Sequence, residues 1–404
     1  MKPLRRSCEP VLLPEGFSFA TAAAGIKVSG RPDLAFGEAA EGSVAAAVFT
    51  SNRVVAAPVD VGRAFLKKNN GRIRAVLVNS GNANCATGKA GLAACHTVCK
   101  EAAELLDVNT AQIFPSSTGI IGVPLPAGKI IASLPKLIAD RRATVEAAAQ
   151  FAEAILTTDT RAKIASRQVK VGARPVTFLG IAKGSGMIHP QLATMLVYVF
   201  TDAVATSREL RSALTAAAEE TFNRISVDGD TSTNDTVLLV ASGKSGVRLK
   251  GLAERKLTQA LLEVCQSLAE QIVTDGEGAQ HVIRLAIEQA KTREEALQVA
   301  RTIAHSLLVK TAWAGADPNW GRILAAVGRS GVNVDPRRIK IYLGDQMVCR
   351  NGAACAFHHE KAHLALAAPE CEVRVQLGRG RSEVEFLTTD LTSEYVAINA
   401  HYST

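Results

Sequence analysis

The sequence predicts a mixed α/β fold, and three observations carry that expectation. Segments with apolar residues at helical spacing are interleaved along the chain with short aliphatic and β-branched runs. No Pro-rich linker and no repeat period divides them, which favours a continuous structure over separate beads. Hydrophobic residues make up 47% and charged residues 21% of 404 positions, ordinary globular usage that excludes a mainly disordered or collagen-like chain.

In chain order, Ala75–Val78 is a strand-like aliphatic run that passes into the polar stretch Asn79–Asn84. Gly91–Leu106 and Ala143–Leu156 carry their apolar residues at the period of an amphipathic helix. Met195–Phe200 is an unbroken apolar run of strand length, Ser207–Phe222 returns to the helical period, and Thr236–Val240 is again strand-like. Leu252–Ile272 and Arg293–Leu308 are predicted helices, and Ile339–Leu343 a strand. The alternating residues Val373/Val375/Leu377 and Val384/Phe386 mark two further strands. Gly378-Arg379-Gly380 between them is predicted to close a hairpin.

The net charge of +8 is spread in short clusters such as Arg5-Arg6, Lys67-Lys68 and Arg141-Arg142. No run forms a nucleic-acid arm, and at 4% aromatic residues a base-stacking platform is hard to assemble. Glu9 and Pro10 stand where a signal peptide needs an apolar core, and Met195–Phe200 is far too short to span a bilayer. A cytoplasmic protein without nucleic-acid or membrane partners is therefore expected. The eight cysteines are dilute and lack paired Cys-x-x-Cys spacing, so reduced, buried thiols are expected. Cys349, Cys355, His358, His359 and His363 include zinc-ligand types, but His359 and His363 four apart fit a short helix better, and no metal is expected.

Three motifs fail on inspection. Ser242-Gly243-Lys244-Ser245 has the end of a phosphate-binding loop, but Leu238 stands where its first glycine belongs. Gly184-Ser185-Gly186 begins a dinucleotide fingerprint whose third glycine position is His189. Asp228-Gly229-Asp230 with Asn234-Asp235 is out of register for a calcium loop and reads as a polar turn capping the strand Thr236–Val240. Four stretches are dense in glycine and small polar residues, types that let backbone approach a ligand: Asn79–Asn84, Pro115–Gly122, Lys183–Pro190 and Asp317–Arg322. The third runs directly into Ala193-Thr194-Met195-Leu196, where a lone hydroxyl precedes an apolar strand, a place for a processed N-terminal nucleophile.

These blocks carry a resemblance. Asn79–Asn84, Ser116–Gly122, Lys183–Pro190 with Ala193–Leu196, Ser226–Val237, Asp275–Gly278, Asp317–Gly328 and Asp390–Thr404 resemble, in order, those of the ornithine acetyltransferase family, also called glutamate N-acetyltransferase. The resemblance implies a four-layer α-β-β-α fold of the self-processing, N-terminal-nucleophile kind. It implies cleavage between Ala193 and Thr194 into an α-chain, 1–193, and a β-chain, 194–404, which associate as α2β2. The implied activity moves acetyl from N-acetylornithine to glutamate in arginine biosynthesis. Thr194 is the implied nucleophile, and Thr118 and Gly119 the oxyanion hole. Substrate contacts fall on Thr157, Lys183, Thr194, Glu277, Asn399 and Thr404, with Thr158 an alternative to Thr157. No cofactor is implied; acetyl-CoA is the co-substrate of the bifunctional members.

Those residue types suit the chemistry. A threonine hydroxyl needs a base, and cleavage before Thr194 frees an α-amine to serve as one. Lys183 can hold a carboxylate and Glu277 an ammonium. The chain departs from the family pattern at Gln191-Leu192, where Asn-Met is usual, at Ala316 in place of an acid, and at Gln280-His281. The alternatives are a self-processing aminopeptidase of the same superfamily, which passes the acyl group to water, and a non-catalytic amino-acid-binding relative.

Overall fold

Short apolar strands and amphipathic helices do alternate in the folded chain, whose computed structural model describes residues 10–189 and 195–401, the Leu252 side chain excepted. The N-terminal half contains β1 (Phe17–Ala22), β2 (Leu34–Ala39), β3 (Val44–Phe49), α1 (Ala57–Lys68), β4 (Ala75–Asn82), α2 (Gly88–Leu106), β5 (Ile113–Ile120), α3 (Ala127–Ala139), α4 (Val145–Ala154), β6 (Lys163–Val171) and β7 (Arg174–Lys183). Next come β8 (Leu196–Thr201), α5 (Ser207–Glu220), β9 (Thr236–Ala241), α6 (Glu254–Thr274), β10 (Val282–Ala290), α7 (Arg293–Ala304), α8 (Leu307–Ala314) and α9 (Trp320–Gly328). The chain closes with β11 (Lys340–Leu343), β12 (Gln346–Arg350), β13 (Ala353–Ala354), α10 (His359–Ala367), β14 (Glu370–Gln376), β15 (Ser382–Thr389) and α11 (Ser393–His401).

Two sheets face each other. One has the order β1-β2-β4-β5 and the other β3-β9-β8-β7-β6. In β8 the residues Leu196, Tyr198 and Phe200 enter the core between the sheets, while Val197 and Val199 enter the core under the helices. A strand covered on both faces must be apolar at every position, which explains its unbroken run. The scarce aromatics gather at this seam: Phe17 and Phe19 each meet Phe200 edge to face at 5.1 Å. Helices close the outside. Phe65 of α1, Val98 of α2 and Leu134 of α3 pack on the first sheet; Leu210 and Leu214 of α5 and Leu257, Leu261 and Leu268 of α6 pack on the second. Each such side chain contributes roughly 1.5–3 kcal/mol on burial. The result is the four-layer α-β-β-α arrangement the resemblance implies.

A further layer pair extends it. A third sheet, β13-β12-β11-β14-β10-β15, buries its own core against α7 to α10, with Val299, Ile303, Trp313, Ile323, Val327 and Leu366 facing Ile283, Leu285, Val373 and Phe386. The hairpin expected at Gly378-Arg379-Gly380 does not form. β10 lies between β14, which it pairs in parallel, and β15, which it pairs antiparallel. The Arg379 and Gly380 N–H groups both donate to Gln289 O, so the loop crosses the end of β10. The expected helix Arg293–Leu308 is two helices, broken at His305-Ser306 where Ser306 is extended. His359 and His363 do lie on one short helix, α10, with His363 Nδ1 2.9 Å from Ala316 O. Among the described residues no helix is long and apolar enough to cross a membrane.

Candidate active site

Strands β4 and β5 run parallel and end together, with Asn79 opposite Ser117 and Gly81 opposite Gly119. Their polar ends are tied to each other and to the second sheet. Ser117 Oγ donates to Asn79 Oδ1 at 2.6 Å, and the Asn234 amide donates to Ala83 O at 2.7 Å and Ser117 O at 2.8 Å. Gly119 has φ +133, and a Cβ there would sit 2.3 Å from the Gly81 carbonyl carbon, so only glycine fits. These ends open on a cleft lined by Thr118, Gly119, Thr157, Thr158, Lys183, Gly186, Thr233, Asn234, Glu277 and Asn399 among others.

Lys183, the last residue of β7, is 3% exposed, and its Nζ donates to Thr118 Oγ1 at 3.1 Å. Burial pushes its ammonium below the usual lysine range, against the pull of Asp159, Asp235 and Glu277. Behind it lies a fully buried ionic brace. Lys163 Nζ is 2.6 Å from both Asp159 Oδ1 and Asp275 Oδ2. Burial alone would raise the Asp159 carboxyl, yet the Lys163 and Lys183 charges hold it below the usual carboxylate range. Asp159 also accepts the Gly184 N–H at 2.6 Å and the Thr157 N–H at 3.1 Å, so one carboxylate fixes both loops beside the cleft. Thr158 Oγ1 and Ser185 Oγ, 2.8 Å apart, join the same loops a second time.

Glu277 follows α6 and faces Gly186. A Cβ on Gly186 would stand 2.5 Å from the Glu277 carboxylate, so the missing side chain is what admits the acid. Asn399 of α11 donates to Glu277 Oε2 at 2.8 Å. The expected strand cap at Asp228 has a different job. Its half-buried carboxylate accepts the N–H groups of Met187 at 2.6 Å and Ile188 at 2.9 Å, and loss of hydration pushes its carboxyl up to about 6. Asp235 accepts the Met195 N–H at 2.9 Å, and burial pushes it well above the usual range. Two acids, Asp228 and the buried Asp235, thus hold the chain on either side of 189–194.

The six described residues that the resemblance assigns to the site, Thr118, Gly119, Thr157, Lys183, Glu277 and Asn399, all line this one cleft. Thr158 lines it as well, so both threonines of that pair are in place. Ala193, Thr194 and Thr404 lie outside the described residues. Asp317–Arg322 does not reach the cleft; Asn319 instead accepts the Arg322 N–H and caps α9. Asp159, Lys163 and Gly186 were not anticipated as supports. Signals existed for Asp159, which sits directly after the Thr157-Thr158 pair, and for Gly186, which lies in the glycine-dense stretch Lys183–Pro190; Lys163 acts across the fold and leaves none.

The chain matches the ArgJ family over residues 18–404. It belongs to the ArgJ family. It is 47% identical over 394 residues to the arginine biosynthesis bifunctional protein ArgJ of Methylococcus capsulatus, covering 96% of this chain and 95% of that one. The protein of the same name from Pseudomonas fluorescens is 44% identical over 402 residues, 98% of each. Among solved structures, a Bacillus halodurans ArgJ chain is 41% identical, covering 51% of this chain and 98% of that one at a TM-score of 0.49. A Mycobacterium tuberculosis ornithine acetyltransferase complexed with ornithine is 35% identical, covering 45% of this chain and 94% of that one at a TM-score of 0.39.

Proposed function

We propose that this chain is an acetyltransferase of arginine biosynthesis that moves acetyl from N-acetylornithine to glutamate through an acetyl ester on Thr194. The supporting observation is the cleft itself. Its walls come from both sides of the Ala193–Thr194 bond, Thr118, Thr157 and Lys183 before it and Asn234, Glu277 and Asn399 after it. Family membership supplies the reaction, and the relatives' shared name places it in arginine biosynthesis.

Self-cleavage frees the Thr194 α-amine, which accepts the proton of its own hydroxyl as Oγ attacks the acetyl carbonyl. The oxygen of the tetrahedral intermediate takes the negative charge, and Thr118 hydroxyl and Gly119 N–H are the donors assigned to it. Collapse breaks the C–N bond, and ornithine leaves with the proton held by the α-amine. The amine of glutamate then attacks the ester, and N-acetylglutamate leaves Oγ with its proton restored. The Glu277 carboxylate suits the cationic side chain of ornithine. Acetyl-CoA serves as the second donor, in line with the bifunctional name of the relatives. The α- and β-chains remain together as α2β2 in the cytoplasm.

The test is to give the purified protein glutamate with N-acetylornithine or acetyl-CoA in parallel. N-acetylglutamate forms from both, and after N-acetylornithine alone the fragment beginning at Thr194 gains one acetyl group by mass. Thr194→Ala stays uncut and inactive. An uncut wild type with full activity refutes the nucleophile, and release of free acetate in place of N-acetylglutamate favours the aminopeptidase-like alternative.

A further inference from the structure

We propose that Lys183 is a positioning residue for Thr118: its ammonium donates to the Thr118 hydroxyl oxygen and so commits the hydroxyl proton to the oxyanion of the acyl-transfer intermediate. The inference rests on the acetyl-transfer reading above. An ammonium has donors and no acceptor, whereas a threonine hydroxyl has one proton and two lone pairs. At 3.1 Å from Lys183 Nζ, Thr118 Oγ1 is therefore the acceptor. Among the described residues no hydrogen bond takes the Thr118 proton, and Thr118 lines the cleft. A hydroxyl that accepts from a cation is polarised into a stronger donor, and low solvent access strengthens the effect. Both residues meet that condition, Lys183 at 3% and Thr118 at 5% exposure.

The fold keeps the contact in place. Lys183 pairs with Leu196 across the β7–β8 ladder, and the next residue, Gly184, is fixed by its N–H on Asp159. Asp159 is in turn held by Lys163, whose ammonium it shares with Asp275. Lys183 and Thr118 sit on different sheets, so the bond also joins the second sheet to the end of β5. A lysine whose main task is to hold the substrate carboxylate makes the opposite kinetic forecast, since its loss would weaken binding and spare the chemical step.

A double-mutant cycle separates the two roles. Wild type, Lys183→Met, Thr118→Ala and the double variant are purified, checked for fold and self-cleavage, and assayed for acetyl transfer from N-acetylornithine to glutamate. Thr118→Ala should lower kcat by about 10²–10³-fold, the loss of one oxyanion donor. Lys183→Met should lower kcat by about 10–100-fold with KM changed by no more than about twofold, and the double variant should be no slower than Thr118→Ala alone. Losses that multiply, or a raised KM with unchanged kcat in Lys183→Met, overturn the proposal. Should Lys183→Met fail to fold, Lys183→Gln, a neutral side chain of similar reach, replaces it in the same cycle: a lowered kcat in the Thr118 background and none beyond Thr118→Ala in the other supports the coupling, and equal losses in both, or no loss in either, overturn it. A folded wild type that transfers no acetyl overturns the underlying reading as well, whereas multiplying losses in an active wild type overturn the positioning role alone.

Discussion

Gly186 makes room for an acid. Its hydrogen stands where any side chain would meet the Glu277 carboxylate at 2.5 Å, so Gly186→Ala should push Glu277 away from the ammonium it is proposed to bind. The expected result is a KM for N-acetylornithine raised about tenfold or more, the size of losing one charged contact, with a smaller change for glutamate; equal changes for both substrates refute the assignment. Asp228 provides a pH test. Its carboxyl is raised from 3.8 to about 6 by loss of hydration, so between these values the folded chain holds a proton that the unfolded chain has released. Its contribution to stability is fully present below about pH 4 and declines as pH rises through about 6, by about 3 kcal/mol in all. Asp228→Asn cannot titrate. Denaturant unfolding of both proteins at about pH 4 and 7 should show wild type losing ground to the variant as pH rises, and a constant difference refutes the cause. At this scale Thr118, Lys183 and Glu277 were named through the resemblance, with which their residue types agree, and the structure brings all three to one cleft. The sequence was not legible where the role is relational. The part Asn234 plays in tying Ala83 to Ser117, or that of Gly186 in admitting Glu277, exists only once distant segments meet.

Among the elements, β6 and α6 are joined by a buried ionic contact. Lys163 on β6 neutralises Asp159 ahead of that strand and Asp275 at the C-terminal end of α6, with both acids nearly inaccessible. Removing the cation strands two buried carboxylates, and Lys163→Met should destabilise the protein by about 3–5 kcal/mol in a denaturant titration. A loss below about 1 kcal/mol would show that water or another cation replaces it. Strand existence was legible for β8 and β9 from apolar runs and for β14 from alternation, but partnership was not. Gly378-Arg379-Gly380 has the composition of a hairpin loop, and a strand almost a hundred residues earlier in sequence, β10, takes the place between its arms. Local turn chemistry has no information about a third strand that arrives from elsewhere. The break between α7 and α8 escaped for the opposite reason: the apolar period continues through His305-Ser306 while the backbone does not.

For the molecule as a whole, the proposed cleavage site lies in the connection between two neighbouring strands. β7 and β8 pair antiparallel from Phe178 with Thr201 to Lys183 with Leu196, and the bond 193–194 falls in the segment joining them. Denaturing electrophoresis should resolve the fragments 1–193 and 194–404, while size exclusion under native conditions should elute them as one species. Separation of the fragments in native buffer would mean that the ladder does not hold. The layered body was legible through resemblance, and the third sheet was not, because its strands carry the same alternation as any other and nothing in composition marks the change. That third sheet has an optical consequence. The chain has two tryptophans, and both belong to its core, Trp313 fully buried and Trp320 packed at its margin. Tryptophan emission therefore reports on that part alone, and the four-layer body that holds the cleft is dark at the same wavelength. If the two parts melt separately, fluorescence and far-ultraviolet circular dichroism will trace different curves on one sample, and a single superimposable curve will show that they unfold as one.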